Sequence, residues 1–515
     1  MTQNLYALFA SRFPADHNAV FLETEQGQTW SYGALEQAAG QYAQALAAAG
    51  VRPGDRVAVQ VEKSPQAVFL NLACFRLGAI LLPLNTAYRD DELAYFLGDA
   101  RPAAVVCQPQ REAAMAGLLA AAGGGAVLTL SDDGGSGSLV ERASGLDGDF
   151  PVSERSDDAI AAILYSSGTT GRPKGAMMSH TNLGSNALTL HRIWGFRPDD
   201  VLLHALPIFH THGLFVAINC VLLNGSKMLF LNKFDAETVV RLLPRSTVLM
   251  GVPTFYTRLL TTPSFTAETC RSMRLFISGS APLLAETHIQ FQERTGHAIL
   301  ERYGMTEAGM ITSNPLEGER RAGTVGFPLP EVTVRVADEA GAVRGTDEIG
   351  VLEIKGPNVF QGYWQMPEKT AAEFRPDGFF ITGDVAKIDE RGYVHIVGRA
   401  KDLIISGGYN VYPKEVEDAI DRIPGVLESA VVGMPHPDFG EAGLAVIVRR
   451  SDSPEPPTAE AVLSGLREKL ANYKVPKQAV FVPALPRNAM GKVQKNLLRE
   501  TWAETWSRFL NGSGG

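Results

Sequence analysis

The stretch YSSGTTGRPKG, Tyr165 to Gly175, has the composition of an anion-binding loop. Hydroxyls at Ser166, Ser167, Thr169 and Thr170 alternate with glycines at Gly168 and Gly171. Such a string lets backbone N–H groups approach phosphate oxygens, and Lys174 adds a mobile point charge. It is not a GxxxxGK[ST] loop, because Gly175 follows the lysine. A flexible surface loop is the plain alternative, but the density of small polar residues favours phosphate. A second stretch, ILERYGMTEAGM, Ile299 to Met310, sets a full charge at Arg302 beside an aromatic residue and a glycine. Elsewhere single residues say little. Glu307 could open a helix, Asp384 could cap a turn after FFITG, and Lys492 could be an exposed lysine. His210 and His212 form an HxH pair in PIFHTHG, but no nearby acid or third histidine completes a metal set. A polar break in an apolar segment, or a metal ligand, are the readings that the residues alone leave open there.

These groups need elements to hold them. SYGALEQAAGQYAQALAAAG carries Leu35, Tyr42, Leu46 and Ala49 on one helical face and ends in Gly50, and RVAVQV follows as a strand. Similar alternation continues to RPAAVVCQ and predicts layered α/β structure with largely parallel strands. From about Pro328 the texture changes to VTVRVADEAGAVRG, GVLEIKG and GYVHIVG, short strands between glycine turns, which predict a β-rich subdomain over about 328–398. From 399 onward, PKEVEDAIDRIPGV, LAVIVRR and AEAVLSGLREKLAN predict a small α+β C-terminal domain, 399–515.

Bulk properties narrow the class. A chain of 515 residues exceeds one compact core. A net charge of −9 argues against a general nucleic-acid binder and gives no reason to expect a membrane surface. The most apolar stretch, HALPIFHTHGLFVAINCVLL, is interrupted by histidines and predicts no membrane span. Four scattered cysteines without a CxxC pair suit a reducing cytoplasm. The oligomeric state is not legible.

The loop closely resembles the signature of the adenylate-forming enzymes, which include acyl-CoA synthetases, luciferases and peptide-synthetase adenylation domains. The family's other segments follow in order across nearly the whole chain: ISGSAPL at Ile277–Leu283, YGMTE at Tyr303–Glu307, TGD at Thr382–Asp384, GRAKDLIISGGYNVYPKEVE at Gly398–Glu417 and PRNAMGKVQK at Pro486–Lys495. The resemblance implies an N-terminal adenylation domain, 1–398, and a mobile C-terminal lid, 399–515, hinged near Lys401. It implies a nucleotide site drawn from Ser166–Gly171, Lys174, Ser278, Gly279, Ser280, Ala281, Pro282, Glu301, Tyr303, Gly304, Met305, Thr306, Asp384, Ile396, Arg399 and Lys492.

Within that site, Glu307 is the expected Mg²⁺ acid and Thr306 the expected hydrogen-bond donor to the α-phosphate of ATP. Lys174 stands by the departing pyrophosphate, Asp384 and Arg399 hold the ribose, and Tyr303 stacks on adenine. Lys492 bridges the acid's carboxylate and the α-phosphate. Carboxylate and phosphate are both anions, so the chemistry needs this charge neutralisation. Ser406, Gly407, Gly408 and Tyr409 are expected to pass the pantetheine arm of coenzyme A, and His210 to act as an aromatic gate beside the acyl pocket. Loss of charge on Lys492 by acetylation would block the first step, so an acetyltransferase and a deacetylase are expected partners.

Arg302 sets the substrate expectation. Many family members carry glycine there, lining the acyl pocket. An arginine facing an apolar pocket is costly unless an anion pairs with it, and its planar fork matches a carboxylate. A small dicarboxylic acid follows, with one carboxylate reacting and the other held. A structural ion pair to Glu301, Glu307 or another acid is the alternative. ALPIFHTHGLFVAIN, LMGVPTFYTRLL, ERYGMTE and SNPLEGERRAGTVGFPLP resemble the malonyl-CoA synthetase branch. That resemblance implies conversion of malonate, with methylmalonate as a second substrate, ATP and coenzyme A to the acyl-CoA, AMP and pyrophosphate. Thr211 and Met310 are expected to shape the α-carbon space, and Arg258 is a second candidate clamp. The alternatives are a short-chain monocarboxylate synthetase and an adenylation enzyme that loads a carrier protein.

Overall fold

The computed structural model describes residues 4–166, 173–407, 409–451, 453, 455–488 and 491–512. They fall into two compact units. The first comprises residues up to 333 together with 355–378, and the second comprises 334–354 and 379 onward.

The first unit holds two large sheets. In the six-stranded sheet, the strands Arg56–Gln60, Ile80–Pro83, Ala104–Cys107, Ala126–Thr129 and Ile160–Ser166 run parallel. Lys174–Ser179 returns antiparallel at its edge, with Ser166 opposite Lys174. The strands are almost wholly apolar, as buried parallel strands must be. In the nine-stranded sheet, Val201–His204, Val248–Gly251, Leu275–Ser278 and Leu300–Met305 form a parallel centre. Gly309–Ser313 folds back antiparallel on Leu300–Met305. Open α/β sheets bind ligands outside the carboxyl ends of their strands, which here are Gly251, Ser278 and Met305.

The second unit contains a four-stranded sheet, Thr333–Ala337, Gly350–Lys355, Phe380–Ile388 and Val394–Arg399, whose last three strands pair antiparallel. It also contains a five-stranded sheet built on the long pair Val426–His436 and Gly440–Arg449. The helices Pro413–Asp421 and Ala459–Arg467 close its core, where Val416, Ile420, Val462 and Leu466 are buried. The expected class is borne out: layered, largely parallel α/β structure in the N-terminal part and α+β structure at the C-terminal end. Among the described residues, no helix is long and apolar enough to cross a membrane.

Candidate active site

Strand alternation positions Arg302. In Leu300–Met305, neighbouring side chains leave opposite faces. Arg302 is only 3% exposed, while Tyr303 beside it is half-buried. The guanidinium lies against Gly279, where any Cβ would overlap it. This explains the glycine in ISGSAPL. The next residue, Ser280, adopts φ +74°, a left-handed conformation costing a non-glycine residue about 1–2 kcal/mol, and its Oγ lies 3.2 Å from His212 Nδ1.

Arg302 Nε and Nη2 have no hydrogen-bond partner among the described residues. The structural ion pair is therefore absent: Glu301 faces His288 at 3.3 Å and Glu307 accepts from Tyr363. Burial pushes the guanidinium down to about 9, opposed by Tyr256. Thr211 Oγ1, His212 Nε2 and Ser278 Oγ are also buried without partners among the described residues. Burial, with Arg302, His210 and His204 nearby, holds His212 well below the usual imidazole value, so it is neutral. A Ser280 hydroxyl that donates to Nδ1 leaves the imidazole proton on the unpartnered Nε2. Orphaned buried polar atoms are rare and costly, and this group suits a small polar acid.

His210 is half-buried and His212 buried at the head of a π-helix, His212–Ile218. Such irregular turns recur at functional sites. Gly213 is required there, because a Cβ would collide with Pro207 O. Among the described residues, no cluster of His, Cys, Asp and Glu could hold a metal at the HxH pair or elsewhere. Arg258 is exposed on Pro253–Leu260, whose buried face is Phe255, Tyr256 and Leu259. Arg258 thus stands on the exposed side of that helix, unlike the buried Arg302. Met310 is buried against Gly304, and its backbone is gripped by Asn186 through Met310 N–H to Oδ1 at 3.0 Å and Nδ2 to Met310 O at 2.8 Å. Asn358 Nδ2 donates to Ala308 O and Met310 O. Gly309 takes φ +57°, and a Cβ there would stand 2.7 Å from Asn186, so the small pair after Glu307 leaves room for this clamp.

Lys174 sits 3.2 Å from Glu373 and 4.5 Å above the Tyr363 ring. The Tyr363 hydroxyl lies 2.7 Å from Glu373 and 3.2 Å from Glu307. Lys174, Glu307, the Ser278–Pro282 loop and Glu301–Thr306 thus all belong to the first unit. Ser167, Gly168, Thr169, Thr170, Gly171 and Gly408 lie outside the described residues, and Ser166 closes the strand before the loop. Asp384, Ile396, Arg399, Lys401, Ser406, Gly407, Tyr409 and Lys492 belong to the second unit. There Asp384 is buried, and Arg399 Nε meets it at 3.0 Å. Ile396 pairs with Ala386 in the adjoining strand. Burial at the turn, with Arg399 beside it, pushes the Lys401 ammonium down to about 8, although the residue as a whole is exposed. Ser406 is buried, Gly407 is exposed with φ +59°, and exposed Tyr409 stacks on Tyr473 at 4.8 Å. Lys492 N–H donates to Asn488 Oδ1 at 3.0 Å in a tight loop.

The profile of the AMP-binding enzyme family matches residues 7–364, and that of the AMP-binding enzyme C-terminal domain matches 415–492. The chain belongs to the AMP-binding enzyme family. It is 36% identical over 477 residues to a feruloyl-CoA synthase of Amycolatopsis, covering 92% of this chain and 94% of that one. It is 34% identical over 519 residues to a malonate–CoA ligase of Arabidopsis thaliana, covering 92% and 85%. Among solved structures, ATP-bound MatB from Rhodopseudomonas palustris is 55% identical with a TM-score of 0.95, covering 98% of this chain and 100% of that one. The enzyme class read from the sequence, an AMP-forming acid–CoA ligase, is borne out.

Sequence reasoning passed over Tyr363, Glu373, Asn186 and Asn358, and it gave His212 no role beyond a metal ligand. HxH was a signal for His212. The others are single polar residues whose meaning depends on contacts from 50 to 199 positions away.

Proposed function

We propose that the protein is an ATP-dependent ligase that joins malonate, and also methylmalonate, to coenzyme A through an acyl-adenylate. The observation that carries this reading is the buried Arg302 guanidinium with Nε and Nη2 unpartnered among the described residues. A monocarboxylate would leave that charge uncompensated, whereas a second carboxylate satisfies it with two charge-assisted bonds. His212 Nε2 and Thr211 Oγ1 add hydrogen-bonding capacity beside it, and Met310 bounds the space around the α-carbon. Malonate is also the acid in the name of the Arabidopsis relative.

In this reading the chain's groups neutralise two anions that must meet. Glu307, an acid buried at a turn, fits a hard divalent cation; Mg²⁺ there would screen the phosphate charges. Lys174 attends the pyrophosphate, Thr306 the α-phosphate, Tyr303 the adenine, and Asp384 with Arg399 the ribose. Lys492 bridges the carboxylate and the α-phosphate and is the site for acetylation and deacetylation partners. Residues 399–515 act as a lid about Lys401, and Ser406, Gly407, Gly408 and Tyr409 admit the pantetheine thiol. His210 gates the acyl pocket. The four cysteines are buried and free, which suits the cytoplasm.

The test is a screen of acetate, propionate, malonate, methylmalonate and succinate that reads AMP and CoA-thioester together. Malonate should lead and methylmalonate should follow. Acetate turnover equal to malonate turnover would refute the dicarboxylate reading, and AMP without thioester would point to a carrier protein as acceptor.

A further inference from the structure

Tyr363 reaches the site from a segment that belongs to none of the sequence motifs above. Residues 361–364 run along the Lys174–Ser179 strand. Met177 N–H donates to Gly362 O at 2.9 Å, Gln361 N–H to Met177 O at 2.9 Å, and Trp364 N–H to Gly175 O at 2.8 Å. Phe360 N–H donates to Glu307 O at 2.8 Å. One short segment therefore holds, by its backbone, both the strand that carries Lys174 and the turn that carries Glu307.

Its side chain repeats the connection. The Tyr363 hydroxyl lies within hydrogen-bond reach of Glu373 Oε2 and Glu307 Oε1. The Lys174 ammonium sits over the same ring and against Glu373 Oε1. Lys369, one helical turn before Glu373, reaches its carboxylate at 2.8 Å. A single proton facing two carboxylates serves one at a time, and a carboxylate fixed through one oxygen presents the other in a defined direction.

We propose that Tyr363 and Glu373 are positioning residues for the adenylation half-reaction: the Tyr363 hydroxyl orients Glu307, and Glu373 holds Lys174 as a counter-ion that the nucleotide phosphates displace. This rests on the roles given above to Lys174 and Glu307. Without Glu373, a partly buried ammonium would wait for nucleotide with less compensation. With it, ATP binding is an exchange of one anion for another.

Calorimetry with a non-hydrolysable ATP analogue across a Mg²⁺ series tests both parts. Tyr363→Phe keeps the ring and removes the hydroxyl. It should weaken analogue binding about tenfold at limiting Mg²⁺, as expected for a hydrogen bond to a charged group. The gap should close at saturating Mg²⁺, and thioester formation from supplied acyl-adenylate should be unchanged. A wild-type Mg²⁺ dependence would overturn the orienting role, and so would a loss equal at every Mg²⁺ level and in both half-reactions. Glu373→Gln keeps the shape and an acceptor for Tyr363 but drops the charge. It should tighten analogue binding about threefold, in line with a partly exposed ion pair; unchanged or weaker binding would overturn the counter-ion role. Lys174→Ala and Glu307→Gln separate the levels. If both bind Mg²⁺ and analogue as wild type does, the underlying site reading fails. If they lose binding while the Tyr363 and Glu373 variants stay wild-type, only this inference fails.

Discussion

Arg302 and Lys174 each offer a cation to an anion, and they wait for it in opposite ways. Lys174 is parked on Glu373 and the Tyr363 ring. Arg302 is more deeply buried and has two unpartnered nitrogens among the described residues. The difference matches what each must recognise. A polyphosphate with its cation brings enough charge to displace a counter-ion. A small acid contributes one free carboxylate, so a protein acid competing for Arg302 would erase its selectivity. In the roles proposed above, specificity at the acid end is held as unsatisfied polarity, and charge at the nucleotide end as an exchange.

The largest effect should come from Arg302→Gly. Malonate kcat/KM should fall by on the order of 10²–10³, the cost of truncating one partner of a buried hydrogen-bonded charge pair, while acetate or propionate turnover rises; wild-type kinetics on malonate would break the contrast. The pH dependence comes next. Burial pushes the Arg302 guanidinium down to about 9. In the proposed clamp, malonate pairs with the protonated form, so affinity should be full below that value and fall about tenfold per pH unit above it. Calorimetry in buffers of different ionisation enthalpy should show proton uptake on binding near pH 9.

Stability should separate the two cations by sign. Arg302→Met removes a buried uncompensated charge and should raise the stability of the ligand-free protein by about 1–3 kcal/mol. Glu373→Ala strips a partner from Lys174 and should lower it by about 1–2 kcal/mol, less than for a fully buried pair because both side chains are about one-fifth exposed. Chemical denaturation of the ligand-free protein checks both; equal signs would mean that the two sites store charge alike. The smallest effect belongs to Arg258→Ala, within about twofold on malonate, because surface changes away from such features are nearly neutral.

Much of this was legible in the chain. The loop after AAIL, the order of the motifs and the odd charge at Arg302 are local signals, and the helix–strand alternation follows from period and punctuation. Other parts were not. Arg258 was read from its neighbours in the string, whereas the turn angle of a helix sets it apart from Phe255, Tyr256 and Leu259. The pairing of Ser280 with His212 and of Tyr363 with Glu307 depends on which strands become neighbours. No single position announces that. Gly279 is instructive in a different way, since its glycine looks like loop punctuation and is instead demanded by a side chain from the next strand.

A Cβ at 279 would overlap the Arg302 guanidinium where it stands, at 2.3 Å from Nη1. In the proposed reading of Arg302 as the carboxylate clamp, position 279 can grow only if the guanidinium moves or is lost, so the size of residue 279 and the acid preference are coupled.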